Sequence, residues 1–117
     1  MKKQITSFFI FITIVFLTNC TTAEIPLIEP VTETITYTNN IKTIIDNNCL
    51  NCHGQNNYNF IGGIPLFTYS QVKTSAKSGT LIPRINDAAN PMPQGGLLLP
   101  ETRAIIEKWK TDGFLEN

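Results

Sequence analysis

Histidine is nearly absent from this sequence, since His53 is the only one among its 117 residues. Methionine is almost as rare, because Met92 is the only one besides Met1. A chain with one histidine cannot supply two imidazole ligands to the same metal ion, so a bis-histidine site within one molecule is excluded. Any metal chemistry must therefore use a few residues that can be named individually.

Charge is also sparse and balanced. The chain has nine Lys and Arg residues and nine Asp and Glu residues, which gives a formal net charge of zero. It contains no long run of either sign and no basic arm, the features by which proteins bind nucleic acids or polyelectrolytes. The sequence therefore predicts no nucleic-acid partner and only weak electrostatic steering of a protein partner.

The longest apolar run is short for a membrane-spanning helix. Residues 5–17 are uncharged and follow Lys2 and Lys3, whereas a spanning helix needs about 20 apolar residues. A basic start before such a run is typical of a secretory signal peptide, here residues 1–19. A transmembrane helix is the alternative. Removing the signal peptide leaves seven basic groups against nine acidic ones, a net charge of −2.

Residues 17–20, Leu-Thr-Asn-Cys, resemble the lipobox of bacterial lipoproteins. The resemblance implies that Cys20 is lipidated, becomes the first residue of the mature chain and anchors it stably to a membrane. Asn19 departs from the usual small residue, and ordinary cleavage nearby is the alternative. The residue after Cys20 is Thr21 and not the Asp that signals inner-membrane retention. The expected location is the periplasm or cell envelope, with the outer membrane favoured for the anchor.

The lipidated N-terminus and the segment after it, residues 20–36, are predicted to form an extended tether. Pro26, Pro30 and several Thr and Glu residues leave no periodic apolar face long enough for a helix. Proline stiffens such a segment and sets its minimum reach. The folded domain is expected to begin at residue 37.

Residues 37–117 are predicted to form one mostly α domain. Its first helix takes Thr38 or Asn39 as N-cap and leads into Cys49. The apolar stripe of this helix, at i, i+3 and i+4, is Ile41, Ile44 and Ile45. Residues 54–66 are rich in Gly and Asn, which predicts a loop.

Three more helical segments follow in the prediction. Thr68 and Gln71 form a capping-box pair before a helix over 69–77, which Gly79 ends. Nearby prolines leave at most one helical turn, at 82–86. The last helix has Pro100 in its first turn and ends before Gly113. Its apolar face is Ile105, Ile106 and Trp109.

The sequence Cys49-Leu50-Asn51-Cys52-His53 is the C-x-x-C-H pattern of haem attachment. At this spacing two thiols add to the two vinyl groups of the porphyrin, and the next residue brings an imidazole to the iron. About 80 residues in short helices make a thin core, which a buried haem would fill. The sequence therefore predicts one haem c, held covalently by Cys49 and Cys52 and ligated by His53.

The same residues have other possible uses. Cys49 and Cys52 could form a disulfide or a thioredoxin-like redox pair, but that pair expects a strand-helix-strand context that this sequence does not offer. A structural zinc site needs four ligands, and Cys20 is the only Cys or His in the sequence outside the motif. A chance match to the pattern is the last alternative.

Met92 is the candidate for the second axial ligand. It lies in Asn90-Pro91-Met92-Pro93, where the flanking prolines restrict the backbone. A thioether prefers ferrous iron and raises the reduction potential. A methionine that only fills the core is the alternative. If Met92 is a ligand, its side chain, both cysteine sulfurs and His53 should line one apolar cavity.

With these motifs in place, residues 37–114 resemble a small class I monohaem cytochrome c. The resemblance rests on CLNCH and the PMPQGG loop, supported by GGIPLFTYSQV and the closing IIEKWKTDGF. It implies a cytochrome c-like fold of three to four short helices around one haem. It also implies that the first and last helices cross, so that Ile41 and Ile45 meet the apolar face of the last helix, and it makes Arg84 a candidate neighbour of the haem propionates.

The expected function is electron transfer without enzymatic turnover. The expected partners are a periplasmic or membrane redox protein and, through Cys20, a membrane, and the protein is expected to be a monomer. One alternative is a haem-based sensor or small-gas binder in which Met92 is a labile ligand. Another is a thiol module that uses Cys49 and Cys52 without haem.

Overall fold

The computed structural model describes residues 32–117, which fold mostly into helices and contain no β-strand. The predicted mostly α class is therefore confirmed. The predicted signal peptide, the lipidation site Cys20 and the tether up to residue 31 lie outside the described residues. In chain order the elements are a first π-helical turn Tyr37–Ile41, α1 Lys42–Asn48, α2 Leu50–His53, a second π-helical turn Tyr58–Gly62, α3 Tyr69–Ser78, α4 Leu81–Asn86 and α5 Pro100–Thr111.

The first helical segment begins earlier than predicted. Its N-cap is Thr36, whose side chain accepts a hydrogen bond from the Asn39 amide at 3.3 Å. The prediction of Thr38 or Asn39 as N-cap was wrong, because Thr36 offers a hydroxyl two residues before Thr38 and the chain is already packed there. Ile35 is fully buried and Thr36 is buried beside it.

The later helices follow their local signals closely. Thr68 and Gln71 make both arms of the capping box, with the Thr68 amide donating to Gln71 Oε1 at 3.0 Å. Gly79 ends α3, and a Cβ there would lie 2.8 Å from the Ser75 carbonyl oxygen. Pro100 occupies the first turn of α5. The predicted helical bounds differ from the observed ones by one residue at α3 and α4.

The core joins the two ends of the domain. Trp109 is fully buried in the same apolar cluster as Ile41, Ile45 and Ile106. The predicted neighbour Ile105 is only half-buried and packs against this cluster from outside. Contact between the first π-helical turn and α5 brings these residues together. Deleting a buried Trp or Ile side chain from such a core costs about 2 to 5 kcal/mol.

The C-terminal tail reinforces this junction with hydrogen bonds. The amides of Tyr37 and Thr38 donate to the carbonyl oxygens of Leu115 and Glu116, both at 2.9 Å. The Trp109 indole donates to Leu115 at 2.8 Å. The tail therefore satisfies amide groups that begin the first helical segment and have no partner within it.

Asp112 holds the start of the domain onto the end of α5. Its Oδ2 accepts a hydrogen bond from the Ile35 amide at 2.8 Å, and its Oδ1 accepts one from Lys108. The hydrogen bond from the Ile35 amide has the largest effect in holding the pKa of Asp112 below its ordinary value of 3.8, and the hydrogen bond from the Lys108 ammonium has the next largest. The ionised carboxylate is therefore favoured by the folded state.

We expect Asp112→Asn to lower the melting temperature at pH 7. A depressed carboxyl pKa stabilises the fold above the pKa of the unfolded chain, and this contribution is lost as pH falls through the lower folded pKa. The difference in melting temperature between wild type and Asp112→Asn should thus shrink as pH falls from about 5 to about 2. Thermal unfolding followed by Trp109 fluorescence measures it.

Asp46→Asn is the matched control for this experiment. It breaks the exposed i,i+4 pair of Lys42 and Asp46, and exposed pairs of this kind contribute only about 0 to 1 kcal/mol. The change at pH 7 should be smaller than for Asp112→Asn. A melting-temperature difference for Asp112→Asn that stays constant across the acid range would contradict the role given to its charge.

Candidate functional site

The CLNCH motif lies at the junction of two short helices. Cys49 ends α1, where its amide donates to the Ile45 carbonyl at 2.8 Å. Its own carbonyl accepts hydrogen bonds from the Cys52 amide at 3.2 Å and the His53 amide at 2.9 Å. The backbone thus turns tightly around Cys49 and presents Cys52 and His53 from the single turn of α2.

The ring of His53 is held by the loop that follows α2. His53 Nδ1 lies 2.7 Å from the Ile64 carbonyl oxygen. A carbonyl oxygen only accepts hydrogen bonds, so this contact requires the proton on Nδ1 and leaves the lone pair of the neutral ring on Nε2. A metal-binding histidine commonly has this arrangement, since the carbonyl sets both the tautomer and the ring orientation.

A cavity of about 280 Å³ opens beside the motif. Its wall contains the predicted ligands Cys49, Cys52, His53 and Met92 together. The other lining residues are Asn48, Ile61, Gly62, Ile64, Leu66, Ser75, Thr80, Leu81, Arg84, Ile85, Pro93 and Gln94. The structure therefore brings Met92 to the CLNCH motif, although α3 and α4 separate them in the chain.

Met92 is carried to the cavity by the segment between α4 and α5. The Asp87 carboxylate accepts hydrogen bonds from the amides of Ala89 at 2.9 Å and Asn90 at 3.2 Å, which turns the chain after α4. The Met92 amide then donates to the Arg84 carbonyl oxygen at 3.0 Å. This bond ties the methionine to the helix whose side chains form one wall of the cavity.

The two motif cysteines are free thiols and both are half-buried. Burial raises the pKa of the Cys49 thiol to about 11. At neutral pH this thiol is therefore protonated, because the low-polarity surroundings disfavour the thiolate. Within residues 32–117, no three side chains of His, Cys, Asp or Glu come close enough together to hold a metal ion by themselves.

Several lining residues were missed by the sequence analysis. Ser75 is buried on α3 and faces the cavity, and its position three residues after the buried Val72 was the available signal. Ile61 and Ile64 line the cavity from a segment predicted to be a loop, yet they remain 68% and 42% exposed. That segment contains the second π-helical turn, which Gly63 ends with φ of +69°.

Comparison with known proteins identifies no relative. The chain matches no family model, no curated protein and no solved structure. Among the described residues, no helix has both the length and the apolar character needed to cross a membrane.

Proposed function

We propose that this chain is an electron carrier with one covalently bound haem c. The observation that supports this most is the meeting of Cys49, Cys52, His53 and Met92 at one cavity. In this proposal Cys49 and Cys52 would attach the haem, and His53 and Met92 would ligate its iron. When bound, haem supplies a ferric/ferrous couple that accepts and donates a single electron.

The lining of the cavity fits a large apolar ring with a few polar contacts. Leu66, Leu81 and Ile85 are buried in its wall, while Ile61 and Ile64 stay exposed at its edge. Exposed apolar side chains around a cavity gain stability when a hydrophobic ligand covers them, by about 25 cal/mol per Å² of apolar surface removed from water. A group of this chemistry would therefore complete the core.

The donor atoms also fit. The hydrogen bond to Ile64 leaves Nε2 of His53 with the lone pair that can ligate a metal ion. The thioether of Met92 is a soft second donor, which favours ferrous iron and a high potential. With both axial positions taken by the protein, the chain would transfer electrons without binding a substrate at iron, which is why we propose a carrier and not an enzyme.

Arg84 is the cationic side chain in the cavity wall. It is half-buried, and its backbone carbonyl accepts the hydrogen bond from Met92. We propose that its guanidinium lies on the side of the cavity that receives the haem propionates, because a planar guanidinium suits carboxylates. The same residue would then support the position of the Met92 backbone and neutralise charge on the cofactor.

The thiol chemistry supports this use of the motif over a haem-free redox module. Reactive cysteines of C-x-x-C redox sites have lowered pKa values. Burial moves the pKa of Cys49 the opposite way, to about 11. A half-buried neutral thiol suits a residue that is consumed once in forming a thioether better than one that cycles as a thiolate.

We further propose that the carrier works outside the cytoplasm, at the periplasmic side of the envelope. The signal peptide and Cys20 would provide export and a lipid anchor. Its partners would be periplasmic or membrane redox proteins, which the monomer meets through contacts with little electrostatic steering, because its charge is nearly balanced.

An absorption spectrum of the exported protein tests the proposal. We expect a coloured product from a host that attaches haem to exported chains, with sharp bands on reduction and with the colour retained in the protein precipitate after acid-acetone extraction. The control is the same chain expressed in a host without the attachment machinery, which should yield colourless protein. Colourless protein from the competent host would overturn the haem proposal and leave the thiol module as the alternative.

One observation favours a second candidate, a small-gas binder with a labile Met92. Met92 is half-buried, and it lies in the irregular segment between α4 and α5, where its amide is tied to Arg84 by one backbone hydrogen bond. If that segment opens readily, a ligand such as carbon monoxide reaches the iron without any mutation. The rate of carbon monoxide binding to the wild-type protein separates the two functions.

A further inference from the structure

Gly62 lies against the imidazole of His53, closer than any residue with a side chain could. A Cβ on Gly62 would stand 2.7 Å from His53 Nδ1 and 2.5 Å from the Cys52 carbonyl oxygen. Real Cβ atoms essentially never approach other heavy atoms within 3.0 Å. Any other residue at this position therefore requires the loop, the ring or the backbone of α2 to move.

The need for glycine at this position is a matter of space and not of backbone conformation. The neighbouring Gly63 has φ of +69°, a left-handed value that favours glycine, and its Cβ would meet nothing within 4 Å. Gly62 shows the reverse combination, with a φ outside that range and a crowded Cβ position. The two adjacent glycines thus serve different purposes, and only Gly62 touches the histidine.

The crowded contact is part of a short backbone clamp around His53. Two residues after Gly62, the Ile64 carbonyl oxygen lies 2.7 Å from Nδ1. Two residues further, the Leu66 amide donates to the His53 carbonyl oxygen at 2.9 Å. The loop therefore crosses His53 at its ring and at its backbone, and at Gly62 it leaves no room for a Cβ beside the ring.

We propose that Gly62 is a positioning residue that sets the tautomer of His53. Without a side chain, the loop comes close enough for the Ile64 carbonyl to hold the proton on Nδ1, which directs the Nε2 lone pair away from the loop. That Nε2 binds haem iron rests on the proposed function. The proposal that Gly62 determines the tautomer is independent of the proposed function, because the tautomer depends only on contacts within the chain.

Nitrogen NMR of the haem-free protein, with ¹⁵N-labelled histidine, tests the proposal directly. His53 is the only histidine, so its two ring nitrogens give an unambiguous signal. For the neutral imidazole we expect a single Nδ1–H tautomer in wild type and a mixture of the two tautomers in Gly62→Ala. Gly95→Ala is the matched control, because a Cβ there meets nothing within 4 Å. An unchanged Nδ1–H signal in Gly62→Ala would overturn the proposal.

A second measurement covers the case in which Gly62→Ala folds but is too unstable for the NMR comparison. Denaturant unfolding of the haem-free chain compares the cost of Gly62→Ala in wild type and in His53→Ala, where the ring is gone. We expect a smaller loss of stability in the His53→Ala background, since contacting residues show coupling in such cycles. Equal losses in both backgrounds would assign the effect to the Cys52 backbone alone and overturn the proposal.

The haem-loaded protein gives an independent readout. A hydrogen bond from Nδ1–H to a carbonyl raises the basicity of the ligating ring and favours ferric iron. Gly62→Ala should therefore shift the reduction potential upward while Gly95→Ala leaves it in place, and a downward shift would contradict the role given to Gly62. A colourless wild type would overturn the proposed function, whereas the tautomer of the haem-free chain would still decide on Gly62.

Discussion

Cys49→Ser together with Cys52→Ser is expected to remove all covalently attached haem from the protein. A serine hydroxyl occupies nearly the same volume as the thiol but forms no thioether with a vinyl group. Both side chains lie in the wall of the same cavity as His53 and Met92, so the rest of the proposed site stays present. Haem-linked peroxidase staining after denaturing electrophoresis should fall from full intensity in wild type to background.

Two control variants separate this effect from general damage. Cys20→Ser removes the third cysteine and should keep the haem stain while releasing the protein from the membrane fraction. Ser75→Ala changes another residue of the cavity wall and should also keep the stain. A double serine variant that retains haem through a denaturing gel would show that the attachment site lies elsewhere, and the assignment of CLNCH would have to be abandoned.

Met92→Ala is expected to lower the reduction potential and to open the site to carbon monoxide. Removing the thioether withdraws the proposed ligand, which favours ferrous iron, and axial ligands of haem span potentials over about 0.8 V. We expect a fall on the order of 0.1 V or more, within that range. Potentiometric titration measures the fall, and flash photolysis or rapid mixing measures the binding of carbon monoxide.

Gln94→Ala is the matched control for the methionine variant, because Gln94 lines the same cavity two residues later. This variant should keep the wild-type reduction potential, and its binding of carbon monoxide should remain as slow as that of wild type. Rapid binding by the unmutated protein would favour the gas-binding function, since it would mean that Met92 leaves the iron readily. A Met92→Ala potential equal to that of wild type would instead make the methionine an ordinary wall residue.

Local signals in the sequence predicted the helices well. The Thr68 and Gln71 capping box, the Gly79 stop and the Pro100 start depend on neighbours within one turn, and the structure has each of them. The mostly α class follows from these elements. Such features are readable because their hydrogen-bond partners are close in sequence.

Features that depend on distant parts of the chain could not be predicted in the same way. The first helical segment begins at Tyr37, where the amides of Ile35 and Tyr37 bond to Asp112 and Leu115. No local sequence pattern near Thr36 indicates that its neighbours have hydrogen-bond partners in the last six residues of the chain. The second π-helical turn was likewise missed, because its Asn and Gly content is typical of a loop and its position depends on contact with α2.

In the candidate site too, some residues could be predicted from local sequence and others only from the fold. The CLNCH spacing identified three of its side chains from five adjacent letters, and the prolines around Met92 singled out a fourth. The walls required the fold, since Ser75 and Ile85 come from α3 and α4 and carry no motif. The role proposed for Gly62 also required it, because the sequence shows a pair of glycines without indicating which one touches His53.

The hydrogen bonds between the two ends of the domain have a mechanical consequence. Among the described residues, those that line the cavity all lie between Asn48 and Gln94, whereas Ile35, Tyr37 and Thr38 bond to residues 112–116. A pull applied between the N-terminal side of Ile35 and the C-terminal residue would first load these bonds and the buried Trp109 beside them. The tension would therefore be borne by the junction of the two termini, leaving the elements around His53 and Met92 unstretched.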